Sequence, residues 1–109
     1  MHEDFGDLGA RRADPLVRRA AKVDANQAEI VECLREIPEC SVAITSVVGN
    51  GFVDIVVGYR GFNFMFELKS DPAKELTDEQ RKFHGAWKGQ IQRVDSLKEI
   101  VTAMTGWDP

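Results

Sequence analysis

Residues 51–70, GFVDIVVGYRGFNFMFELKS, hold two β-branched and aromatic runs parted by Gly58-Tyr59-Arg60-Gly61. That pattern predicts a β-hairpin, with strands over 53–59 and 62–69 and Arg60-Gly61 as the two central turn residues. A two-residue turn sets the register, and in that register Asp54 faces Glu67 directly. Strand alternation then puts Asp54 and Val56 on one side with Met65, Glu67 and Lys69. The opposite side collects Ile55, Val57, Tyr59, Phe64, Phe66 and Leu68, which is almost wholly apolar and therefore core. Two cross-strand carboxylates stand ~5 Å apart at Cβ, where like charges repel. A divalent cation, with Lys69 beside it, is the simplest neutralising partner.

The rest of the chain sets limits. Its 109 residues suffice for one domain, and a core this small makes pairing with a second copy a reasonable expectation. No apolar run approaches the ~20 residues of a membrane span, and the N-terminus lacks a signal-peptide core, so a cytoplasmic protein without a membrane partner is expected. Cys33 and Cys40 have no CxxC spacing and no clustered histidines, and are expected as reduced thiols. A net charge of −4 argues mildly against a strong non-specific DNA binder. The cations are grouped, however: Arg11, Arg12, Arg18, Arg19 and Lys22 come early, and Lys69, Lys74, Arg81, Lys82 and Lys88 follow the hairpin.

Residues 1–22 mix Gly, Asp and Arg without periodicity and read as an N-terminal arm, flexible or dimer-associated, with a short helical turn after Pro15. A single domain is expected over 23–109. Asp24 is a candidate N-cap with Gln27 as its capping-box partner, starting a helix that runs to about Glu36 and stops before Pro38. Its stripe is Ile30, Leu34 and Ile37, with Val23 and Val31 at the margins. A first strand is expected over 41–48, then a turn at Gly49-Asn50-Gly51, then the hairpin. Thr77, with Gln80 three residues on, caps a second helix through Phe83, His84 and Trp87 that Gly89 ends. A short strand over 90–94 follows. Ser96 caps a last helix striped by Leu97, Ile100, Val101 and Met104. The order α-β-β-β-α-β-α predicts an α/β domain, a small mixed sheet flanked by helices.

Asp54, Glu67 and Lys69 on one sheet face, with the Leu68 carbonyl between the last two, make a hard-oxygen donor set beside an ammonium. Mg²⁺ or Mn²⁺ held by such oxygens activates water and withdraws charge from a phosphate, and a nearby lysine stabilises the charge that develops. Glu29 on the first helix is placed to complete the carboxylate set, directly or through a water.

The series Glu29, Asp54, Glu67-Leu68-Lys69 resembles the PD-(D/E)XK nuclease superfamily. The surrounding residues, Asp24 to Val31, Thr45-Ser46, Gly49 to Asp54, Phe66 to Lys69, and Leu76 to Gln80 with Phe83, His84, Trp87 and Gly89, resemble its stand-alone phage and bacterial VRR-NUC domains. The likeness covers most of the chain. It implies a restriction-endonuclease-like fold and a Mg²⁺- or Mn²⁺-dependent structure-specific DNA endonuclease without organic cofactor, in a bacterial or phage-infected cytoplasm. It further implies Asp54, Glu67 and the Leu68 carbonyl as metal ligands, Lys69 as catalytic lysine, Glu29 as the helix carboxylate and Gln80 as an auxiliary catalytic residue. Small members are similar to Holliday-junction resolving enzymes and act on branched DNA as homodimers. Val53 stands where the family motif usually has proline, a strand-entry position that binds no metal.

Each residue also has a plainer reading. Asp54 is a surface carboxylate in one, Glu67 and Lys69 an exposed ion pair of little worth, Glu29 a solvated helix residue, and Gln80 a capping partner. His2 and His84 have no partner spacing and are read as non-catalytic. Phe83 and Trp87, four apart, suit a core or dimer contact better than a base-stacking platform. On these readings the domain is a non-catalytic DNA-binding or protein-interaction module of the same fold.

Overall fold

The apolar run of the hairpin forms the centre of the sheet. The computed structural model describes residues 26–71 and 73–106. Within them the chain runs α1 (Gln27–Arg35), β1 (Cys40–Ile44), β2 (Ile55–Tyr59), β3 (Phe62–Leu68), α2 (Asp78–Ala86), β4 (Gln92–Val94) and α3 (Leu97–Thr105). This is the expected order: an α/β domain with a four-stranded mixed sheet and three helices. The arm at 1–22, the turn after Pro15, and Val23 and Asp24 lie outside the described residues.

The sheet order is β1-β2-β3-β4, antiparallel at the first two contacts and parallel at the third. Tyr59 pairs with Phe62 and Ile55 with Phe66, so Arg60-Gly61 is the turn. Both turn residues have positive φ, 52° and 88°, as a tight hairpin turn matching the strand twist requires. Ile55, Val57, Tyr59, Phe64 and Phe66 are buried on one face. There they join Ile30, Val31, Cys33, Leu34 and Ile37 from α1 and its exit, and Leu97, Ile100 and Met104 from α3. Ser96 caps α3 as expected, its side chain accepting from the Glu99 amide. Helix α2 buries no residue fully and lies by the other sheet face, where its Gln80 reaches Glu67.

Several boundaries differ from expectation: β2 begins at Ile55, so Val53 and Asp54 precede the strand, β3 ends at Leu68, and α2 ends at Ala86 with Trp87 as its C-cap. The cap of α1 is Asn26, whose side chain accepts from the Glu29 amide at 3.1 Å. Asn and Asp cap equally well, so composition alone did not separate positions 24 and 26. Gln27 is then the first helical residue, and its amide reaches Ser46 Oγ at 3.4 Å. Strand β1 ends at Ile44, well short of 48, because Thr45 turns the chain. Its hydroxyl donates to the Val53 carbonyl at 2.8 Å, and its own carbonyl accepts from Val48. Val47 and Val48 are consequently exposed, at 92% and 55%. β4 begins at Gln92, two residues later than expected.

Loop 49–52 is pressed onto the start of α2. A Cβ at Gly51, whose φ is +81°, would fall 2.5 Å from the Glu79 carbonyl oxygen, so only glycine permits this approach. Arg93 of β4 donates to the carbonyls of Asp71 and Lys74 at 2.8 and 2.9 Å, holding the segment between Lys69 and α2. Cys33 and Cys40 are free thiols, as expected, and burial pushes that of Cys40 up to about 11. No helix among the described residues is long and apolar enough to cross a membrane.

Candidate metal centre

Glu67 is 2% exposed, the one charged residue among the described residues that is buried. Its position follows from the register: the residue after buried Phe66 must point to the opposite face, where α2 covers it. Oε2 accepts from the Gln80 side-chain amide at 2.8 Å and lies 3.9 Å from Lys69 Nζ. Oε1 is buried with no hydrogen-bond partner. An orphaned buried carboxylate oxygen is costly, and native proteins rarely keep one without a reason.

Asp54 lies across from Glu67, as the turn arithmetic requires. Its amide donates to the Phe66 carbonyl at 3.2 Å, and its Oδ2 accepts from the Leu68 amide at 2.8 Å. The Asp54 carboxylate thus takes a main-chain donor of the facing strand, which pins it beside Glu67. Burial first, then the charge of Asp54 and a hydrogen bond between the two carboxyl groups, push the Glu67 pKa up to about 7, partly offset by Lys69. Lys69 follows directly: its amide donates to the Val94 carbonyl at 2.9 Å, and its side chain is only 12% exposed.

Gln80 has two roles. Its Oε1 accepts from the Thr77 amide at 2.9 Å and its own amide donates to Thr77 Oγ at 3.2 Å, closing the expected capping box. With the oxygen so engaged, the Nε2 donor is the end that faces Glu67. The cap orients the amide that orients the carboxylate.

Glu29 is exposed in the first turn of α1. No three His, Cys, Asp and Glu side chains among the described residues gather closely enough to hold an ion, so Glu29 does not join Asp54 and Glu67 in one cluster. Its helix start nevertheless meets the loop before Asp54 through Gln27 and Ser46.

His84, expected as non-catalytic, packs near Lys69. Its Nε2 is buried without a partner, and its pKa is lowered by burial and by the charge of Lys69. The available signal was helical: His84 comes four residues after Gln80 and shares its face.

Asp54 and Glu67 bring two hard carboxylate donors, the oxygen type that Mg²⁺ and Mn²⁺ take, to one side of the sheet. The unpartnered Oε1 is the observation that fits a cation there. A comparison with known protein families, curated proteins and solved structures finds no match to this chain.

Proposed function

We propose that this protein is a metal-dependent endonuclease that hydrolyses DNA phosphodiester bonds, on a restriction-endonuclease-like fold. The observation that carries the reading is the buried acid pair: Glu67, nearly inaccessible and with an unpartnered oxygen, beside Asp54, with Lys69 Nζ at 3.9 Å. A structural ion pair does not require a second carboxylate pressed against the first, and that second charge is a cost unless something positive occupies the site. The likeness to VRR-NUC domains supports the same reading and rests on the residues quoted above.

Asp54, Glu67 and the Leu68 carbonyl would hold Mg²⁺ or Mn²⁺, with Glu29 acting through a water, and the group would supply Lewis acidity toward the phosphate and a lowered pKa of bound water. Lys69 orients the attacking water and offsets charge developing on the phosphate oxygens. Gln80 is a positioning residue that fixes the Glu67 carboxylate through its capped amide. The substrate we favour is branched DNA such as a four-way junction, cut by a homodimer with one centre per strand. Residues 69–93 carry six cations against four carboxylates, a local excess of positive charge on offer to phosphates despite the negative net charge.

Incubating the protein with labelled four-way junctions, with and without Mg²⁺ or Mn²⁺, tests the reading. Metal-dependent cleavage by the wild type, abolished by Lys69→Ala in a variant that melts like the wild type, is expected. Junction binding without cleavage across metals would instead mark a non-catalytic DNA-binding module.

A further inference from the structure

Among the described residues, two buried side-chain polar atoms have no hydrogen-bond partner: Oε1 of Glu67 and Nε2 of His84. The charge of Lys69 acts on both groups. Strand and helix geometry explain the coincidence. Glu67 and Lys69 are two residues apart on extended chain, so they share a side and stand about 6.6 Å apart along it. Gln80 and His84 are four apart on α2, so they share a face and stand about 6 Å apart along its axis. One rung between these elements is made, with Gln80 Nε2 donating to Glu67 Oε2 at 2.8 Å. The two strides nearly match, so a second rung sets His84 against Lys69, and the effect of the Lys69 charge on the ring agrees.

Each partner of that second rung lacks what the other has. The Lys69 ammonium carries three N–H donors on a side chain only 12% exposed. Its ion-pair partner, Glu67 Oε2, stands 3.9 Å away, beyond hydrogen-bond reach. Burial and the neighbouring ammonium keep His84 neutral, and a neutral imidazole has one nitrogen that accepts. A proton on Nε2 would set a donor beside an ammonium, which is repulsive. A proton on Nδ1 makes Nε2 an acceptor, and a change of rotamer in Lys69 supplies its donor.

We infer that His84 is a positioning residue for Lys69: its Nε2 accepts one ammonium N–H while Glu67 accepts a second, leaving the third for the substrate phosphate. The use of that third N–H rests on the nuclease reading; the contact between Lys69 and His84 does not. Held from two sides, a long and flexible side chain is ordered before substrate arrives.

The test uses the full chain labelled with ¹⁵N-histidine, in which His2, the other of the two histidines, is the internal control. At about pH 7.5, nitrogen NMR should show His84 neutral with its proton on Nδ1. Lys69→Met keeps the stem and removes the donors. It should shift the His84 Nε2 resonance and leave those of His2 in place. A proton on Nε2, or a His84 resonance indifferent to Lys69→Met in a variant that melts like the wild type, overturns the contact. In junction cleavage, His84→Phe keeps a ring and loses the acceptor. It should lower kcat about 10- to 100-fold with KM little changed, as misplacement of a reacting group by about 1 Å does. His84→Gln, whose Oε1 lies nearly where Nε2 was, should restore most of the rate. A Phe variant as fast as the wild type overturns the positioning role, and a Gln variant as slow as the Phe variant marks a histidine needed only for packing. If the wild type cleaves no junction, the nuclease reading falls, and the nitrogen resonances still decide the contact.

Discussion

Replacing Glu67 with glutamine should stabilise the fold while removing the metal. The wild-type carboxyl is 2% exposed, and its pKa rises from an ordinary 4.5 to about 7. A folded pKa above the unfolded one means the native state binds the proton more tightly. Stability from this group is therefore complete below about pH 4.5 and is lost as pH rises toward 7. A shift of this size is worth at most about 3 kcal/mol, at ~1.36 kcal/mol per pH unit, and loss of the Lys69 ion pair reduces the net gain to about 1–3 kcal/mol. Glutamine is nearly isosteric with the protonated acid, never ionises and still meets Gln80. The Glu67→Gln variant should thus match the wild type near pH 4.5 and exceed it at pH 8 in metal-free buffer. For a domain of this size each kcal/mol corresponds to roughly 4–8 °C in Tm. Thermal melts in EDTA from pH 4.5 to 8.5 measure this directly. A variant that is less stable than the wild type at pH 8 would show Glu67 to be a structural ion-pair partner, and the argument from a costly buried charge would be wrong.

Metal affinity should carry the same proton. Calorimetric titration with Mn²⁺ should show Kd weakening about tenfold per pH unit below 7 and levelling above it, whereas a Kd flat from pH 5 to 8 would oppose Glu67 as a ligand. Gly61 sits at φ +88°, so Gly61→Val should cost about 1–2 kcal/mol in denaturant melts and weaken Mn²⁺ binding by more than the lost stability explains. Unchanged affinity in the folded variant would separate the turn from the acid pair. Gln80→Ala should cost about 1–2 kcal/mol through the lost cap contact and the second unpartnered Glu67 oxygen. Junction cleavage should fall with it, and a variant cleaving at full rate would confine Gln80 to capping.

The facing of Asp54 and Glu67 was legible because a two-residue turn with glycine leaves one register, although Met65 is buried on the same face as Glu67 and the strand is covered on both sides there. The capping box at Thr77 and Gln80 was legible too, but its reach to Glu67 depends on loop 49–52 seating α2, which no local pattern encodes. Val47 and Val48 alternate like strand residues, and only the hydroxyl of Thr45 and the left-handed run at Gly49-Asn50-Gly51 take them out of the sheet. The burial of a single ring nitrogen at His84 was not legible, because it is decided by tertiary packing and a lone histidine has no spacing to read. Glu29 shows the converse, a residue whose place in a motif did not bring it into one cluster with the acid pair.

The central claim is that Asp54 and Glu67 share a cation. Crystals soaked in Mn²⁺ and measured at a wavelength where manganese scatters anomalously would place it. The account predicts an anomalous peak between the two carboxylates and beside the Leu68 carbonyl, absent in Glu67→Gln crystals treated alike. A peak elsewhere, or none at an acid pair left intact in the lattice, would contradict it.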